Sequence, residues 1–125
     1  MARILVIDDD VQVLKVLVSY LEKSRHEVTA ASNGKVGIDL LTHRQFDLVI
    51  TDIIMPEKDG IEVLLWLRTM PNRPKIIAIS GGSASLDQEY LLRLSKDIAA
   101  DKELQKPVDL VTLTNAVREV LGTGE

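Results

Sequence analysis

The stretch "ILVIDDD", residues 4–10, sets three consecutive carboxylates, Asp8, Asp9 and Asp10, directly behind an unbroken apolar run. Apolar residues in an unbroken, β-branched-rich row, without polar alternation, read as a strand covered on both faces, as in a parallel sheet packed between layers of helix. Immediately beyond the acids, Val11, Leu14, Leu17, Val18 and Leu21 recur at helical spacing and would share one face. The junction is therefore strand, acids, helix. Carboxylates at the start of a helix have an ordinary role, because they accept from its unpaired amides and oppose its dipole. One acid suffices for that role, and Asp10, nearest the helix, is placed to fill it.

Outward from this junction the same unit repeats. Residues 48–51 (LVIT) and 75–79 (KIIAI) are further buried-strand runs, and His26–Ala31 and Lys102–Gln105 are weaker ones. Helical faces are carried by Ile38, Leu40 and Leu41, by Ile61, Leu64, Leu65 and Leu67, by Leu86, Tyr90, Leu91 and Leu94, and by Leu110, Leu113, Val117, Val120 and Leu121. Helix starts are signalled at Asp10, Asn33, Asp59 and Ser85, the last with Gln88 as a capping box, and Gly122 marks a stop. Alternation of strand and helix with short connections predicts an α/β, doubly wound (βα)5 parallel sheet with helices on both faces, residues 1–125 forming one domain.

In such sheets function gathers at the carboxyl ends of the strands, near the point where strand order reverses. Asp8, Asp9 and Asp10 follow the first strand, Thr51 and Asp52 the third, Ser80, Gly81 and Gly82 the fourth, and Lys106 and Pro107 the fifth. The second is followed by uncharged Ala31, Ser32, Asn33 and Gly34. In the strand order 2-1-3-4-5 of flavodoxin-like folds, the four chemically loaded ends are neighbours and the bland one is an edge. The pattern then points to one shared site.

The whole-chain numbers agree with a globular domain. The chain has 125 residues, 46% hydrophobic and 27% charged, with a formal net charge of −4. That balance, without a Lys/Arg block, argues against a duplex-binding surface, and the lack of cysteine excludes disulfides and thiolate metal sites. The first apolar run meets acids after Ile7, too soon for a signal peptide or membrane span. His26 and His43 fall away from the acids, and Trp66 and Tyr90 sit among apolar helical positions as packing or surface residues.

The segments "ILVIDDD", "DLVITDIIMPEKDGIEVL", "IIAIS" and "AADKELQKPVDL", within residues 4–113, together resemble the receiver domain of two-component response regulators, best known from the bacterial chemotaxis regulator. The resemblance implies that Asp52 is a phosphoacceptor, a carboxylate being a nucleophile that needs no general base at pH 7. It implies that Asp8 and Asp9 hold Mg2+, with Mn2+ as an alternative. Asp9, Asp52 and the Ile54 carbonyl would be direct ligands, and Asp8 would act largely through water. Lys106 matches the lysine that reaches the phosphoryl oxygens, and Ser80 the switch hydroxyl. The implied partner is a histidine kinase or histidine phosphotransfer protein, acting in the cytoplasm. The implied output surface is the helix at 86–94, the fifth strand and the helix at 110–121, read by a downstream protein or by a domain outside this chain. No direct nucleic-acid contact and no membrane insertion are expected.

Departures from the family pattern qualify these expectations. Glu103 stands where the family commonly has a signalling aromatic, and the stretch from Ser80 to Lys106 is longer than in the chemotaxis regulator by about one helical turn. Ile54 is apolar where some relatives carry a polar side chain, which implies slow self-dephosphorylation because it cannot orient water. Three rival readings exist. Asp8-Asp9-Asp10 satisfies the D-x-D of haloacid-dehalogenase-like phosphatases, but Gln12 stands where they have Thr or Val. A nucleotide-binding domain would need a glycine-rich turn after the first strand. A pseudo-receiver, an interaction module that is not phosphorylated, is favoured by Glu103.

Overall fold

In the computed structural model, residues 1–53, 59–80 and 100–122 are described, residues 59–61 by backbone alone. Five strands, β1 (Arg3–Ile7), β2 (Glu27–Ala31), β3 (Leu48–Asp52), β4 (Lys75–Ser80) and β5 (Lys102–Gln105), form one sheet in the order β2-β1-β3-β4-β5. All its pairings are parallel. Among the described residues the helices are α1 (Val11–Lys23), α2 (Gly34–His43), α3 (Asp59–Arg68) and α4 (Leu110–Leu121). The architecture is the doubly wound, flavodoxin-like α/β fold expected from the sequence. The helix expected at 86–94, with its start at Ser85 and Gln88, lies outside the described residues, as do Ile54, Gly81 and Gly82.

Alternation along the strands divides the core into two layers. Ile4 and Val6 of β1, Leu48 and Ile50 of β3 and Ile77 and Ile79 of β4 pack with Leu14, Leu17 and Leu21 of α1 and Leu113 and Val117 of α4. Leu5, Ile7, Val49, Ile76 and Ala78 point the other way, onto Leu41 of α2 and Val63, Leu64 and Leu67 of α3. Because both strand faces are covered, β1 and β4 are buried from their second residue to their carboxyl ends, and β3 is buried throughout. Each fully buried aliphatic side chain contributes about 1.5–3 kcal/mol relative to exposure, so these layers are the main stabilising term.

Helix starts follow the side chains placed there. The Asp10 carboxylate accepts from the amides of Gln12 and Val13, Asn33 from Val36, and Asp109 from Thr112. The last was not singled out in the sequence, where Lys106 and Pro107 drew the attention. Asp59, expected as a cap, is the first residue of α3 itself. Gly122 ends α4 in the left-handed conformation at φ 64°, as a helix stop requires.

At the opposite, amino-terminal end of the sheet, acids extend the ladder. Asp47 exchanges backbone bonds with Arg3 and Lys75 while its carboxylate accepts the Arg3 amide at 2.8 Å. Asp101 does the same for Ile76. His26 closes this end between β1 and β2 through its Nδ1, which accepts the Ala2 amide at 3.1 Å. That bond requires a neutral ring protonated on Nε2.

Two outcomes test this packing. Gly37 of α2 lies against Ile7, where an added Cβ would fall 2.9 Å from Ile7 Cγ1 inside the core. Gly37→Ala, which normally stabilises a helix, should here cost roughly 1–3 kcal/mol in urea unfolding; a gain would mean that Ile7 yields freely. His26 has its pKa lowered, first by burial and then by the positive amino terminus. The unfolded chain therefore binds this proton more readily than the folded one. The His26 contribution should be complete above the ordinary value of 6.5 and be lost as pH falls below it. Thermal melts from pH 7.5 to 5 should decline more steeply for the wild type than for His26→Gln; parallel curves would remove His26 as the cause.

Candidate functional site

The four loaded strand ends meet at the carboxyl edge of the sheet. Asp8 follows β1, Asp52 closes β3, Ser80 closes β4 and Lys106 follows β5; Asp8, Asp52 and Ser80 are buried. Parallel pairing brings them together, since β1 and β4 both flank β3, and β5 pairs with β4 so that Ser80 stands opposite Gln105. The Lys106 amide donates to the Ser80 carbonyl at 2.9 Å, tying the fifth strand end to the fourth.

Lys106 crosses the site. Its Nζ donates to Asp52 Oδ2 at 2.8 Å and lies 3.0 Å from Asp8 Oδ2 as an ion-pair partner. Burial by itself would push this ammonium down, but the hydrogen bond and charge of Asp52, together with Asp8, outweigh it and raise its pKa above the ordinary lysine value. Asp8 is further held by the Asp10 amide, which donates to its Oδ1 at 2.9 Å. Asp10 thus keeps both roles at the junction: its side chain caps α1 and its backbone orients Asp8.

Asp8, Asp9 and Asp52 each offer a carboxylate oxygen, and these oxygens lie within 4.8 Å of one another. Asp9 is exposed while its two companions are buried, so the cluster opens to solvent on one side. Asp8 Oδ2 is buried, and among the described residues its one partner is the Lys106 ammonium at 3.0 Å. Three hard anionic donors, one of them under-satisfied, with an open side for water, fit a small divalent cation. The Ile54 carbonyl, expected as a further ligand, lies outside the described residues.

These features converge on one family. Residues 4–118 match the model of the response regulator receiver domain. The chain belongs to this family. The receiver is 36% identical to the response regulator receiver protein CpdR of Brucella abortus over 97% of this chain and 98% of CpdR. It is 34% identical to the transcriptional regulatory protein CpxR of Escherichia coli strain K12 over 97% of this chain, spanning 50% of that longer protein. A CheY-like receiver domain of known structure from Methanospirillum hungatei superposes with a TM-score of 0.86 at 30% identity, covering 98% of this chain and 94% of that one. A receiver domain is the switch module of two-component signalling.

Two features of the site were missed in the sequence. One is the double engagement of Lys106, since nothing local marks a lysine for two carboxylates. The other is an apolar groove of about 380 Å3 beside that lysine, between Val13, Val16 and Tyr20 of α1 and Pro107 and Val108 after β5. The exposure of Val11 and Val16 on an otherwise amphipathic helix was its available signal.

The lysine bridge gives a direct test. Lys106→Met keeps the aliphatic stem but leaves two buried carboxylates facing each other, and should cost about 3 kcal/mol at neutral pH. The loss should shrink as pH falls toward the carboxylate range, because protonating one acid relieves the repulsion. A loss independent of pH would assign Lys106 a packing role only.

Proposed function

We propose that residues 1–125 act as a single phosphorylation-dependent switch, with Asp52 accepting a phosphoryl group from the phosphohistidine of a histidine kinase or histidine phosphotransfer protein. The observation that carries this reading is the convergence of Asp8, Asp9 and Asp52, whose carboxylate oxygens lie within 4.8 Å of one another, with Lys106 donating to Asp52. An Asp52 carboxylate oxygen forms the new bond to phosphorus as the phosphorus–nitrogen bond of the donor breaks, and the imidazole departs with its electron pair. Lys106 stays as a point charge for the phosphoryl oxygens, and Asp8 and Asp9 with Asp52 would hold Mg2+, or Mn2+ in its place. When bound, this cation supplies charge neutralisation for the incoming phosphoryl group.

The donor must cover the carboxyl end of the sheet, and the apolar groove beside Lys106 offers it adjacent contact surface. After transfer, Asp52 carries more negative charge and more acceptors, which draws the Ser80 hydroxyl and Lys106 toward it. Repositioning of the chain after β4 then alters the surface around the helix expected at 86–94, β5 and α4, biasing an equilibrium present without the phosphate. A downstream protein, or a domain beyond this chain, reads that surface. No helix among the described residues is long and apolar enough to cross a membrane; the cytoplasmic setting rests on the histidine-kinase partner proposed.

A second reading, a pseudo-receiver that only binds partners, draws on Glu103, half-buried on β5 opposite Ala78 at the usual place of an aromatic. One experiment separates the two. Incubated with Mg2+ and acetyl phosphate, the protein should gain one phosphoryl mass. The gain should disappear in Asp52→Asn and fall by at least about tenfold in rate in Asp9→Ala, which lacks one cation ligand. No uptake by the wild type would sink the switch and leave the pseudo-receiver; uptake retained in Asp52→Asn would move the acceptor elsewhere.

A further inference from the structure

Asp10 is not a member of the carboxylate cluster of Asp8, Asp9 and Asp52, yet its backbone is tied to it. Its amide donates to Asp8 Oδ1 at 2.9 Å, while Lys106 Nζ lies 3.0 Å from Asp8 Oδ2. The Asp8 carboxylate is thus gripped at both oxygens, at one by a side chain from beyond β5 and at the other by the backbone two residues ahead. Asp9, the exposed member of the cluster, lies in the chain between Asp8 and Asp10 and so between two fixed neighbours.

What holds the Asp10 amide in place is the side chain of the same residue. Asp10 Oδ1 accepts from the amides of Gln12 and Val13 at 3.0 and 3.2 Å, and the Asp10 carbonyl accepts from the Leu14 amide at 2.9 Å. These bonds fix the extended Asp10 backbone, at φ −84° and ψ 106°, against the first turn of α1. The helix is itself anchored, since Leu14, Leu17 and Leu21 are buried in the apolar layer shared with α4. A relay therefore runs from that layer through the cap and the Asp10 amide to the Asp8 carboxylate. The first turn of α1 carries no acid that could take over the cap. Asn33 and Asp109 cap α2 and α4 by the same side-chain acceptance, from Val36 and Thr112. Asp10 adds to this ordinary role a bond from its own amide to a member of the cluster.

We infer, resting on the cation site proposed above, that Asp10 is a positioning residue of that site: by capping α1 it fixes the amide that aims the Asp8 carboxylate, and so sets the affinity for a divalent cation. Groups that orient metal-ligating carboxylates are commonly worth about 10–100-fold in affinity. The role needs an acceptor oxygen on residue 10 and not a charge, because Asn caps a helix about as well as Asp.

The test is Mn2+ binding to the full chain, read from the loss of the free-ion electron paramagnetic resonance spectrum in salt of about 0.15 M, where exposed charges are screened. Asp10→Ala should bind about tenfold or more weakly. Asp10→Asn, which keeps the acceptor, should stay within about threefold of the wild type. Asn33→Ala, which removes the α2 cap, should leave the affinity unchanged and controls for lost helix stability. Equal affinity in Asp10→Ala and the wild type would overturn the inference. So would an equal loss in Asp10→Asn, which would make charge the agent, or in Asn33→Ala, which would reduce the effect to stability. Asp9→Ala reports separately on the site. Binding lost in Asp9→Ala but kept in Asp10→Ala would remove only the relay, whereas binding that survives in Asp9→Ala, or no binding by the wild type, would remove the cation site and the relay together.

Discussion

The carboxyl end of the sheet depends on the contact of one ammonium with two buried carboxylates. Asp8 and Asp52 are buried on adjacent strands, and like charges at that depth would repel strongly without a counter-charge. Lys106, arriving from β5, lies 3.0 Å from one and 2.8 Å from the other. In the order β2-β1-β3-β4-β5 the lysine after the last strand reaches acids at the ends of the first and third. The stability of this end and its chemistry therefore rest on the same atoms.

Much of this was legible in the sequence. β1 and β5 were bounded as observed, β3 and β4 extend one residue further, and β2 starts one residue later than the weak pattern suggested. The short apolar runs succeed as indicators because strands covered on both faces leave no polar position to confuse them. The N-caps at Asp10 and Asn33 and the Gly122 stop were readable because capping is local chemistry. Asp109 was missed because Lys106 and Pro107 suggested a different use for that turn, whereas the start signalled by Asp59 lies one place off, Asp59 being the first residue of the helix and not its cap.

The sequence by itself determined the periods of its strands and helices, the acids and lysine at the strand ends, and through them the receiver family. These depend on neighbours within a turn or a strand, where side-chain identity and spacing act directly. Only the tertiary structure decided that Lys106, 54 residues from Asp52, engages Asp8 as well, and that among the described residues Asp8 Oδ2 has no other partner. Contacts between distant segments are fixed by strand order and helix packing, and these emerge only when the two apolar layers close over the whole sheet.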